Sequence, residues 1–116
     1  MRLPASLLAL PLVFAAAAAP AADVPRSVVT LLGPSLGHLM AQDELCDWKL
    51  AAKIDATYKK SFQAIGLTAA QQAGVWEKAK REKDGMLSAP DVAKTRMRNE
   101  MCAPAIKAQV EQDLAN

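Results

Sequence analysis

The chain has 116 residues, 52% of them hydrophobic and 22% charged, with 14 basic side chains against 12 acidic ones and a formal net charge of +2. Such an even balance gives no bulk electrostatic reason to bind nucleic acid, where a basic face would be expected, and the length allows one domain with a modest core. Two cysteines at positions 46 and 102 do not have the Cys-x-x-Cys spacing of redox motifs, and with one histidine they cannot supply the four-ligand clusters of structural zinc.

Residues 1–21 are expected to be a signal peptide. Arg2 supplies the basic start, Leu3 to Ala18 is apolar, and Ala19, Pro20 and Ala21 are the small residues of a cleavage site. A retained anchor asks for about 20 apolar residues in one run; Pro4 and Pro11 interrupt this one, and no cysteine follows it to carry a lipid. The remaining 95 residues carry 13 basic and 12 acidic groups, with the signs mixed between Glu77 and Asp84 as on a solvated helix face. Export implies an oxidising compartment, periplasmic or extracellular, so Cys46 and Cys102 are read as a disulfide. It closes a 56-residue separation, which in the chain-entropy model stabilises a domain by about 4 kcal/mol.

Residues 22–42 read as an N-terminal arm or short helix. Ser27 to Leu32 is a brief apolar run that Gly33 and Pro34 are expected to stop. From Asp43 to Ile65 the spacing predicts one long amphipathic helix, with Leu39, Cys46, Leu50, Ile54, Tyr58 and Ile65 on its core stripe. Gly66 is its left-handed cap. Thr68 and Gln71 then form a capping box, with Leu67 in the preceding staple position. The helix they open has a narrow apolar face of Ala69, Ala73, Trp76, Ala79, Lys83 and Leu87, and breaks between Gly85 and Ala89. Ser88, Pro90 and Asp91 open a third helix. It carries Val92, Cys102, Ile106 and Val110 on one face and Ala93, Met97, Met101 and Ala108 on the other, with a kink or restart at Pro104. The expected fold is therefore all-α, a small three-helix up-down-up bundle over 43–116 clipped by Cys46 and Cys102.

Asp43 and Asp47 fall near the middle of the core stripe, where carboxylates are costly to bury. Three readings stand side by side: Asp43 as an N-cap with Asp47 in the first turn, an ion pair with Arg98 brought close by the disulfide, or a polar pocket of His38, Asp43, Asp47, Arg98 and Asn99. His38 has no second histidine for a metal site and no nucleophile at a recognisable spacing. Met97 and Met101 stand one turn apart; with Met40 and Met86 they suit core packing, a partner surface or a soft copper-type thioether site. Trp48 lies off the stripe and reads as a partly exposed interface anchor, a candidate interaction surface together with Met97 and Met101.

Leu67, Thr68 and Gln71 spell L-T-x-x-Q, which resembles the motif of the CpxP and Spy group of periplasmic stress and chaperone proteins. The resemblance spans five residues and occurs once here, where that group usually carries it twice. Size and cysteine count also make the chain similar to small periplasmic chaperones clipped by one disulfide. Both imply a helical protein that binds other proteins. The residues themselves carry no triad, paired-acid motif or metal-binding helix. The expectation is a non-enzymatic exported protein that binds another macromolecule, a protein, through a helical surface and needs no cofactor. The alternative is a small-ligand or copper-type metal-binding protein.

Overall fold

A computed structural model describes residues 24–115, and every element in that span is helical. The expected leader, 1–21, lies outside the described residues. Five helices follow one another: α1 (Arg26–Cys46), α2 (Ala51–Ile65), α3 (Ala69–Leu87), α4 (Asp91–Met101) and α5 (Pro104–Ala115). A disulfide joins Cys46 to Cys102, as expected, with their Cα atoms 5.3 Å apart.

The N-terminal segment is the first correction. Gly33 and Pro34 do not stop it; α1 runs through both for 21 residues. Pro34 and Thr30, whose carbonyl the proline leaves without a helical donor, are exposed, so that carbonyl is not sealed in the core. Gly33 serves a different purpose. It is buried with Gly37 and Ala41 in a small-residue strip, one turn apart, laid against α3. A Cβ built on Gly33 would lie 2.7 Å from the Lys78 Cβ, and one on Gly37 would lie 2.5 Å from the Ala79 carbonyl oxygen. The backbones of α1 and α3 therefore touch where no side chain fits. Gly33 faces Val75 and Lys78, Gly37 faces Ala79 and Glu82, and Glu44 reaches Lys83, so the two helices run in the same direction.

The second correction is the helix expected over 43–65. It is interrupted after Cys46 and resumes at Ala51. Asp47 adopts the left-handed conformation at φ 52°, its N–H donates to the Glu44 carbonyl, and the Trp48 N–H donates to the Asp43 carbonyl at 3.1 Å. That bond pair is the Schellman closure of a helix, made here on an aspartate instead of the usual glycine. Lys49 follows with φ 61°, and the chain turns back so that α2 descends beside α1. Asp43 is consequently not an N-cap residue. It sits in the last turn of α1 and caps α2 from across the break, its Oδ1 accepting the Leu50 N–H at 2.8 Å.

At the far end of α2 the same closure recurs with glycine. Gly66 has φ 88°, and the Leu67 N–H donates to the Phe62 carbonyl at 2.9 Å. Phe62 and Leu67, the residues this motif brings together, are both buried. Thr68 and Gln71 form the expected capping box: the Gln71 N–H donates to Thr68 Oγ1 at 3.1 Å and the Thr68 N–H to Gln71 Oε1 at 2.9 Å. The buried face of α3 is Val75 and Ala79, rotated from the expected one, and Ala69 and Ala73 are exposed. Gly85 stays helical and the break comes at Ser88 to Pro90. Ser88 ends α3, its hydroxyl donating to the Asp84 carbonyl, and Pro90 rather than Ser88 is the N-cap of α4.

The expected restart at Pro104 occurs, with Pro104 as the first residue of α5, where its missing N–H costs nothing. Because the chain breaks at Cys102 and Ala103, the two apolar faces expected of one third helix do not run on from α4 into α5, and Val92 is 75% exposed. The core comprises Leu36, Trp48, Leu50, Ile54, Phe62, Leu67, Val75 and Ala79. Tyr58, Phe62 and Trp76 meet edge to face with centroids 5.8 and 5.9 Å apart, the arrangement aromatic quadrupoles favour.

Candidate binding cleft

The break between α1 and α2 shapes a cavity. Since Asp47 and Lys49 turn the chain back, the first turn of α2 faces the last turns of α1, and α3 closes the third side. An open cleft of about 410 Å³ lies between them. Met40, Ile54 and Trp76 give it apolar walls, Ala51 and Ala52 of α2 line its mouth, and Asp43, Glu44, Asp55 and Lys83 add charge. Lys83 Nζ lies 3.5 Å from Glu44 Oε2 across the cleft, and Asp55 is paired outside it with Lys59 at 3.0 Å. The cleft thus stands next to two non-glycine residues held at positive φ, a conformation that costs free energy and recurs beside functional sites.

The residues singled out in the sequence fall in three places. Asp43 is in the cleft wall and only 7% exposed. His38, Asp47, Arg98 and Asn99 are exposed, and among the described residues no ion pair joins Arg98 to Asp43 or Asp47. The Arg98 carbonyl instead accepts the Cys102 N–H at 3.1 Å at the end of α4. Beside the disulfide the joining group is one the sequence reading missed: buried Gln42, whose Nε2 donates to the Met101 carbonyl at 2.9 Å. That bond satisfies a carbonyl in the last turn of α4 that has no helical donor.

Trp48 is a correction. It is 8% exposed and belongs to the core, because the turn after Cys46 swings it inward. Met97 and Met101 are half-buried on α4, and Met40 is in the cleft, on another helix. Among the described residues no three His, Cys, Asp or Glu side chains are grouped to hold a metal ion, and no helix is long and apolar enough to cross a membrane. Trp76 and Lys83 are the cleft residues whose role was not foreseen. Their shared face on α3 was legible, but the cavity they line exists only because α2 folds back over it.

Comparison with protein-family models, with curated proteins and with solved structures finds no match. The L-T-x-x-Q residues are accounted for locally by the capping box, whose side chains are spent on the first turn of α3.

Proposed function

We propose that this is a non-enzymatic exported protein that binds another protein through the cleft at the α1–α2 break, with the up-down-up run of α1, α2 and α3 as its scaffold. The observation that carries this reading is the cleft itself: open to solvent, walled by Met40, Ile54 and Trp76, and built on a turn with two non-glycine residues at positive φ. Concave sites with apolar walls and a few convergent polar groups are where binding concentrates. The surface moves from Trp48, Met97 and Met101, the sequence expectation, to this cleft, because an anchor must be accessible and Trp48 is not. Residence in the periplasm or outside the cell agrees with the disulfide. A photo-crosslinking residue at Ala52, introduced into the protein in its own cells, is expected to yield a discrete adduct. The same residue at Lys60, further along α2, is expected to yield none. Ala52→Phe, filling the mouth from an exposed position, is expected to abolish binding of the partner so identified without lowering the melting temperature. Equal adducts from both positions would refute the reading.

A second reading rests on size. About 410 Å³ lies within the roughly 300–1,000 Å³ of small-molecule sites. Native mass spectrometry of protein taken directly from its compartment decides between the two, a retained small molecule favouring this one.

A further inference from the structure

One charge in the cleft is not explained by the fold. Glu44 is matched by Lys83 and Asp55 by Lys59. Asp43 is not: it is more than nine-tenths buried, and among the described residues no lysine, arginine or histidine nitrogen lies within 4.0 Å of its carboxylate. Its one side-chain bond among the described residues, from the Leu50 N–H to Oδ1 at 2.8 Å, caps the start of α2. An asparagine oxygen could accept the same bond, without the charge that strengthens it. The turn therefore requires an acceptor at position 43 but not a negative charge. A carboxylate taken out of water with a single neutral donor is costly, and a cation or further donors would offset the loss.

The missing counter-charge has an obvious place to come from, since Asp43 forms part of the wall of an open cleft. Across that cleft Met40 and Ile54 offer a surface for a hydrocarbon stem, and the Trp76 indole offers a ring that attracts cations. We propose that the cleft is a receptor for a cationic group on an apolar stem, an alkylammonium or alkylguanidinium, which places its charge against Asp43 and its stem on Met40, Ile54 and Trp76. That chemistry is carried by a lysine or arginine side chain of a partner protein and equally by a free amine. The proposal rests on the cleft being the binding site and adds what it selects.

The test uses the disulfide-bonded chain and follows the amide signals of Ala51 and Ala52 and the indole N–H of Trp76 by NMR. Butylammonium and butylguanidinium are expected to shift all three saturably, whereas butanol and butanoate, with the same stem, leave them in place. Asp43→Asn, which keeps the acceptor for Leu50, is expected to weaken the cations by about tenfold, the scale of one charged hydrogen bond, with its melting temperature retained. Should that variant fold poorly, Ala52→Lys provides the second arm: an ammonium built into the mouth is expected to compete and lower affinity for the same probes. A short peptide with one arginine between apolar residues identifies the source. Binding tighter than butylguanidinium points to a protein side chain, and binding no tighter points to a free amine. If butanol binds as well as butylammonium, or if neither Asp43→Asn nor Ala52→Lys changes cation affinity, charge recognition is refuted while the cleft still binds. If no cation moves the cleft signals, the inference is refuted, and the crosslink at Ala52 judges the binding reading separately.

Discussion

The seam between α1 and α3 and the attachment of α4 and α5 are built on opposite terms. Along the seam, Gly33 lies against Val75 and Lys78 and Gly37 against Ala79 so closely that neither has room for a Cβ, and Gly33, Gly37, Val75 and Ala79 are buried, as is Ala41 one turn on. Close approach multiplies dispersion contacts and leaves nothing to reorder, so packing alone can hold two helices there. In α4 and α5 no residue is fully buried. They are fixed by the Cys46–Cys102 disulfide, by the bonds from Gln42 to Met101 and from Thr57 to Leu114, and by half-buried Ile106, Val110 and Leu114. The difference teaches where the covalent link is needed. It stands where the thinly packed C-terminal pair leaves the core, and the seam has none.

The largest test of that contrast is removal of the disulfide. Replacing Cys46 and Cys102 with alanine is expected to lower stability by up to about 4 kcal/mol. The loss should be uneven. Amide hydrogen exchange is expected to lose protection first in α4 and α5, while α1 and α3 remain protected. If all five helices lose protection together, the two regions are one cooperative unit and the contrast breaks.

Glycines sharpen the comparison at intermediate scale. Gly37→Ala places a methyl group against the Ala79 carbonyl, and overpacking of this kind costs about 1–3 kcal/mol, more than the roughly 1 kcal/mol that alanine gains in helix propensity. Chemical denaturation is expected to show net destabilisation. In α3, Gly74 and Gly85 have nothing within 4 Å of an added Cβ. Gly74→Ala and Gly85→Ala are expected to stabilise by about 0.5–1 kcal/mol each. The same substitution thus changes sign with its distance from the seam, and equal signs at positions 37 and 74 would mean that the helices do not approach closely.

These glycines also show what was readable in advance. Local chemistry was legible: the Thr68 and Gln71 capping box, the Gly66 cap and the restart at Pro104 each depend on a few neighbouring residues, and the cysteine pair, 56 residues apart, followed from there being two cysteines to join. The end of α1 was not, because its Schellman closure uses Asp47, and an aspartate at positive φ leaves no mark that a glycine would. Leu39, Cys46, Leu50 and Ile54 keep nearly helical spacing across the break, so the stripe ran on through a turn and misplaced Trp48. Gly33, beside Pro34, read as a stop; only its partner α3 makes Gly33, Gly37 and Ala41 a contact strip. The candidate site suffered most, since the convergence of Asp43, Ile54 and Trp76 follows from the undetected break. Of the cleft residues, Asp43 drew notice in advance, with Asp47, as a carboxylate where apolar residues were due, and Met40 only as one of the methionines.

The smallest effect concerns the seat of α5. Tyr58 is half-buried on α2 beside Leu39, Val110, Asp113 and Leu114. Burial, and secondarily the nearby Asp113 carboxylate, raise its phenol above the ordinary value of 10.0. The folded chain therefore holds this proton more tightly than the unfolded one. The resulting stability is present in full below about pH 10 and is lost as pH rises through the raised value. Between about pH 9 and about pH 11 the urea midpoint of the native protein is expected to fall further than that of Tyr58→Phe, with Asp113→Asn between them. Lysine titration affects all three alike and cancels in the differences. In the protein lacking its disulfide, where α5 is expected to lift away, the difference between Tyr58 and phenylalanine should shrink, because part of the burial and the neighbouring Asp113 charge come with that helix. A difference unchanged by loss of the disulfide would show that α5 holds its place on α2 through Thr57, Leu114 and its apolar residues alone, and the dependence of the C-terminal pair on Cys46 and Cys102 would then be confined to α4.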